Sequence, residues 1–105
     1  HDIINNLGDC YGLSCDSSCC AKQAVGYMRR GLECNGISNF PASSLISGYD
    51  SGSLAYSWDE GNYHFVQLQY HPYWGDARID IASSYDWMEE DIRQAHALGR
   101  KTILN

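Results

Sequence analysis

Residues 53–68 constrain the fold of this chain more than any other stretch. They read as two short strands rich in aromatic and β-branched residues, Leu54, Tyr56 and Trp58 on one and Tyr63, Phe65 and Val66 on the other. Between them lies Asp59-Glu60-Gly61-Asn62, a run of turn-forming residues in which Gly61 takes the positive φ that closes a tight reversal. Along the second strand His64, Val66, Leu68 and Tyr70 alternate with Phe65, Gln67 and Gln69, so one face is mainly apolar and the other mixed. The expectation is a β-hairpin over about 53–59 and 62–70.

Composition bounds what surrounds that hairpin. The 105 residues suit one domain or part of one. A hydrophobic content of 44% supports a modest packed core and excludes a disordered chain. Thirteen acids against seven Lys and Arg leave a net charge of −6, the wrong sign for general nucleic-acid binding. No apolar run reaches the length of a membrane span, and no signal-peptide pattern is present. The chain opens on His1 rather than Met, so a processed product or an excerpt of a longer polypeptide is expected.

Five cysteines, Cys10, Cys15, Cys19, Cys20 and Cys34, all fall in the first third. That clustering favours disulfides in a secreted or extracytoplasmic protein, with at least one thiol left over because the number is odd. Cys10 with Cys34 is a better long-range pair than the adjacent Cys19 with Cys20, because a ring closed by neighbours is strained. A zinc site is the competing reading. Cys15 and Cys19 have tolerable ligand spacing, but a second matched pair is absent and no His lies between Cys10 and Cys34.

The chain therefore divides into a cysteine-rich segment (1–35), a loop (36–52) and a hairpin-helix-strand unit (53–105). Ser17 and Ser18 are placed to cap a short helix from about Cys19 to Arg30, with Cys20, Ala24, Val25 and Met28 at helical spacing and Gly31 just past its end. Glu33 to Gly52 is rich in Gly, Ser and Asn and reads as surface loop with anchors at Phe40, Leu45 and Ile46. His71 to Asp76 forms an aromatic turn. Ser83 and Asp86 make a capping-box variant that opens a second helix to about Leu98, with Tyr85, Met88, Ile92 and Ala95 on one face and Gly99 as its stop. Lys101 to Asn105 reads as the opening of a buried strand. Strands alternating with helices give an α/β layer arrangement. A sheet ending at such a strand calls for neighbouring segments or another subunit, a homo-oligomer included, to complete it.

The hairpin resembles one found in the calcineurin-like metallophosphoesterases, and the likeness extends over most of the chain. Ile4 to Tyr11 is similar to the region bearing that family's third metal motif. Residues 24–30 match a following helix, 38–40 and 52–59 continue the likeness, Ile81 to Ile92 resembles a Ser- and Trp-bearing helix, and Gly99 to Asn105 resembles the strand that leads into a metal-binding His. The resemblance implies part of an α/β sandwich and an exported hydrolase. In such enzymes two divalent metal ions, held by Asp, His and Asn, activate a water for in-line attack on a phosphoester. The ligand set is incomplete here. The early Asp and His motifs would lie before His1, the later His motifs after Asn105, and the third motif reads Asp9-Cys10-Tyr11. Asp9 is the single metal-ligand candidate, and no catalytic residue is assigned. The chain alone is expected to bind no cofactor and to be inactive, as a fragment or a non-catalytic relative of a phosphoesterase. A disulfide-stabilised structural or assembly subunit is the alternative.

The histidines have plainer readings. His64 is a packed residue with a satisfied ring rather than a metal ligand, since no other donors lie nearby in sequence. His71 is structural or solvent-facing, and His96 complements the dipole at the end of the second helix. No Gly-x-Ser-x-Gly nucleophile elbow occurs, and the glycine-rich run at 48–53 lacks the Lys of a phosphate-binding loop.

Overall fold

The computed structural model describes residues 19–33 and 45–105, and these form two helices and a four-stranded sheet. Helix α1 spans Cys19–Glu33, strand β1 Gly48–Tyr49, β2 Tyr56–Glu60 and β3 Tyr63–Gln67. A short 3₁₀ turn, Ala77–Ile79, precedes helix α2, Tyr85–Ala97, and strand β4, Lys101–Leu104. Among the described residues no helix is long and apolar enough to cross a membrane.

The sheet order is β1-β2-β3-β4, with the first three strands antiparallel and β4 parallel to β3. The expected hairpin is present, with Tyr56 opposite Gln67 and Glu60 opposite Tyr63. Its loop is Gly61-Asn62, and only Gly61 has positive φ, at 58°, the pattern of a type II′ turn that matches strand twist. The strands are shorter than the sequence pattern suggests. Residues 53–55 belong instead to a turn from β1, organised by Asp50, whose carboxylate accepts from Gly52 N, Ser53 N and Ser53 Oγ. Gly48 and Tyr49, expected as loop, pair with Ser57 and Tyr56 and so extend the sheet. Asp50 to Ala55 is their hairpin turn, closed by Asp50 N donating to Ala55 O and Leu54 N to Asp50 O, with the Asp50 carboxylate organising its inside.

A parallel β4 beside β3 requires a crossover, and α2 supplies it. Helix α2 does not start with the expected capping box. Ser84 is its N-cap and makes no side-chain cap bond, while Ser83 Oγ accepts from Tyr85 N at 3.3 Å and donates to Pro72 O at 2.7 Å. The Ser83 hydroxyl thus ties the helix start to the aromatic loop. Leu98 is the C-cap and Gly99 follows with φ 76°. Helix α1 runs three residues past the expected end at Arg30 and contains Gly31. A helical glycine costs about 1 kcal/mol, too little to stop a helix anchored by packing. Ala21 and Val25 are buried, whereas Ala24, expected on the same face, is exposed. The capping positions Ser17 and Ser18, and the anchor Phe40, lie outside the described residues. Leu45 is exposed.

Two interiors result. Under α1, Ala21, Val25, Leu54, Ile79 and Ile81 form an apolar cluster flanked by Met28, Tyr49 and Trp74. Arg29 pins this helix by donating to Ser51 O and to both the carboxylate and carbonyl of Asp80. Under α2 the sheet presents Ser57, His64 and Val66, all buried, with Ala95 of the helix. The opposite face carries a ring ladder in which Trp58 stacks on its cross-strand partner Phe65 at 5.1 Å, with Tyr56 and Tyr63 beside it. Strand β4, expected to be buried, has Ile103 and Leu104 exposed, because among the described residues it pairs on one side only.

Replacing Gly61 with Val tests the turn. A Cβ there meets nothing within 4 Å, so the cost is backbone strain alone. Urea unfolding should show a loss of about 1–2 kcal/mol, and an unchanged midpoint would contradict this turn geometry.

Candidate functional site

Three elements converge on His64. Its position in β3 points the side chain under α2, and Thr102, its partner on β4, lies on the same face. The imidazole is 4% exposed. Nδ1 lies 2.8 Å from Asp59 Oδ1 on β2, and Nε2 lies 2.8 Å from Asp91 Oδ2 on α2. Each carboxylate has further support. Ser57 Oγ donates to Asp91 Oδ1 at 3.1 Å, Ser47 Oγ donates to Asp59 Oδ2 at 2.8 Å, and Arg100 Nε stands 3.5 Å from Asp59 Oδ1. The result is a chain of polar groups, Ser57–Asp91–His64–Asp59–Ser47, that ties α2 to β2, β3 and the residue before β1.

Electrostatics set the protonation of this chain. Burial is the largest single influence on His64 and pushes its pKa down. The hydrogen bonds to Asp59 and Asp91, with the charges of both carboxylates, outweigh it and hold the pKa above the ordinary histidine value of 6.5. For Asp59 burial pushes upward. The bonds from His64 and Ser47, with the charges of Arg100 and His64, prevail and hold its pKa below the ordinary 3.8. Each ring nitrogen stands 2.8 Å from a carboxylate oxygen, so the protonated ring, which the raised pKa favours, donates through both nitrogens, one to each carboxylate.

That state decides the chemistry. An imidazolium with both N–H groups engaged has no lone pair for a metal and cannot act as a general base. Ser57 bonds Asp91 and not the ring, so Ser57 is not set as a nucleophile against His64. His64 is a clamp between helix and hairpin, in keeping with its reading as a packed histidine with a satisfied ring. Sequence reasoning assigned Asp59 to the turn and did not single out Asp91 or Ser57. The available signal was spacing: Trp87, Asp91 and Ala95 recur every four residues on the inward face of α2, and a carboxylate on such a face needs a buried partner.

Gly48 shows how closely the elements meet. A Cβ at that position would stand 2.7 Å from Asp91 Oδ1 and 2.8 Å from Ser57 Oγ, so any side chain there displaces the clamp.

The remaining candidates lie apart from this cluster or outside the described residues. Asp9, Cys10, Cys15 and Cys34 are among the latter, and Cys19 and Cys20 open α1. His71 sits in the aromatic loop, where its Nδ1 accepts from Tyr73 N. His96 is exposed in the last turn of α2. Among the described residues no group of three His, Cys, Asp or Glu side chains is arranged to hold a metal ion.

The linkage signs follow from these shifts. The His64 contribution is full below pH 6.5 and is lost as pH rises through its raised folded pKa; the Asp59 contribution is full above pH 3.8 and is lost as pH falls through its lowered one. The clamp thus stabilises most between these two ordinary values. At pH 6, replacing His64 with Phe should cost about 3–5 kcal/mol, because two inward carboxylates lose their partner. In urea unfolding across pH, the wild type should lose stability on the alkaline side and His64→Phe should lack that step. Parallel alkaline profiles would remove the clamp from the account.

The chain matches no protein-family model, no curated protein and no solved structure, so its function rests on the geometry itself.

Proposed function

We propose that these residues are part of an exported metal-dependent phosphoesterase domain, contributing scaffold and sheet rather than a complete catalytic centre. The observation that carries this reading is the β3–α2–β4 unit. It sets two parallel strands side by side, so that the residues following β3 and Asn105 after β4 leave the sheet at the same, carboxyl end. That end is where open α/β sheets hold their ligands. In the resemblance drawn from sequence, β4 is the strand that leads into a metal-binding His. Two divalent ions would be held there by residues of the whole domain, and they would supply a hydroxide and neutralise charge on the phosphoryl group. Asp9 is the one ligand this chain would bring.

Among the described residues β4 is paired on one side only, which supports an incomplete sheet. Lys101 N donates to Asn62 O and Asn105 N to Val66 O, so by the alternation of a parallel ladder the peptide groups of Thr102 and Leu104 face away from β3. Thr102 Oγ1 is buried without a hydrogen-bond partner. Open strand edges are ordinarily paired, covered or blunted, and a neighbouring segment or subunit would pair here. The same open edge supports the second reading, a disulfide-stabilised structural or assembly subunit, in which that strand comes from another copy or chain and no catalysis follows.

Metal content and turnover separate the two. The 105-residue chain, dialysed and supplied with manganese or zinc, should retain no stoichiometric metal and should not hydrolyse an aryl phosphate. The natural protein, whose intact mass shows any flanking sequence, should hold two metal ions and hydrolyse the ester in a metal-dependent manner. Absence of metal-dependent hydrolysis in the natural protein refutes the phosphoesterase reading and leaves the assembly one. Turnover by the 105 residues alone would mean a site has been missed.

A further inference from the structure

Directly after β3 the chain enters a loop whose aromatic residues the clamp does not use. Tyr73 stacks on Tyr85 of α2 with ring centroids 4.3 Å apart and 19° between planes, and His71 lies 5.5 Å from Tyr73 on the same loop. Tyr70 meets Trp74 edge-on at 5.5 Å. Tyr70 is 65% and Tyr73 64% exposed, while Trp74 and Tyr85 are half-buried and Trp74 also borders the cluster under α1, which anchors the exposed rings to the core. The loop is not held by its rings alone. Trp74 N donates to His71 O, Tyr73 N to His71 Nδ1, and Pro72 O accepts from both Ser83 Oγ and Ser84 N. The rings are therefore presented by a backbone fixed to the start of α2, and little ordering remains to be done on binding.

Position and charge narrow the ligand. The loop leaves the carboxyl end of β3, beside Asn105, whose carbonyl accepts from Leu68 N. The local field is negative. The Tyr85 hydroxyl is held above its ordinary pKa first by its bond to Tyr73 and then by the nearby Glu89, with Asp86 adding to it. Arg78, the cation that follows this loop in sequence, is engaged by Asp76 through its Nε and Nη2. A phosphate group would be repelled here, whereas an uncharged π-surface would gain from stacking and from burying exposed ring area.

We infer that Tyr70, His71, Tyr73, Trp74 and Tyr85 form a subsite for a planar, uncharged aromatic ring, an aryl group or nucleobase. The subsite deepens the phosphoesterase reading, on which it rests only for the ring's belonging to the alcohol of the ester. Binding itself requires neither metal nor catalysis.

The test uses the 105-residue chain with adenosine and phenol as planar probes, methyl glucoside as a non-planar ring, and inorganic phosphate. NMR shift changes and intrinsic fluorescence should place adenosine and phenol at Tyr70, Tyr73 and Trp74. Tyr70→Leu should weaken binding roughly tenfold, the scale of a lost ring stack, and Tyr70→Phe should retain it. The paired variants keep the side chain bulky, and far-UV circular dichroism checks that both fold. Phosphate should leave these signals unmoved. Planar probes that do not perturb these rings, equal binding of methyl glucoside, or equal affinity of the Leu and Phe variants would each overturn the proposal. Ring binding by a natural protein that lacks metal-dependent hydrolysis would keep the subsite and refute the phosphoesterase reading alone.

Discussion

The buried imidazolium of His64 is the interaction on which the described structure depends. A charged ring can stay inside a small domain only when both N–H groups meet acceptors, and here the acceptors come from two different elements, Asp59 on β2 and Asp91 on α2. The hairpin alone supplies half of that requirement. Helix α2 must lie across the sheet with Asp91 facing inward to supply the rest. Once it does, the chain leaves the helix at the end from which β4 pairs parallel to β3. Gly48 then has to be a glycine, because the carboxylate and the Ser57 hydroxyl occupy the space of a side chain. An electrostatic requirement thus fixes a helix orientation, a strand direction and a residue type.

The same requirement removes His64 from chemistry. Both ring nitrogens are spent on carboxylates, the adjacent serine faces the acid rather than the ring, and water has little access. Buried charge of this kind gives specificity of arrangement more than net stability, since the desolvation of three charged groups offsets much of their attraction. In this chain the specificity is directional. An apolar residue at 64 would let α2 slide along the sheet, whereas two 2.8 Å contacts at opposite ends of one ring admit a single register. Residues with capacity to spare lie at the other end of the unit, where the aromatic loop and the start of α2 meet beyond β3. Scaffold and candidate recognition surface are thereby separated within one βαβ unit.

Much of the local structure was legible in the residues. Gly61 after a run of aromatic and β-branched residues specifies a hairpin reversal, because only a residue without Cβ takes φ 58° at no cost, although Asp59 and Glu60, read as turn, belong to β2. Gly99 after thirteen residues of amphipathic pattern marks the end of α2 in the same way. Strand β1 was not legible, since two residues carry no period and their pairing follows from a turn built on the Asp50 carboxylate. The extension of α1 through Gly31 was hidden too, because packing of Ala21, Val25 and Met28 overrides a weak local preference. The exposure of Ile103 and Leu104 could not be foreseen from an apolar run, which looks the same whether or not a further strand covers it.

The candidate site divides in a similar way. The sequence by itself determined that His64 lies on the mainly apolar face of a strand, because that follows from a side-chain period of 2, whereas the inward place of Asp91 on α2 was not read from it. It determined the hairpin, the second helix and an α/β order as well. Only the tertiary structure decided that the three groups meet, that Ser57 serves the acid and not the ring, and that the protonated imidazole is favoured. The physical reason is range: periodicity is a property of adjacent residues, whereas Asp59, His64 and Asp91 are brought together by a crossover whose length and direction no local pattern encodes. Protonation follows from that meeting, since the pKa of a buried group is set by what surrounds it in space.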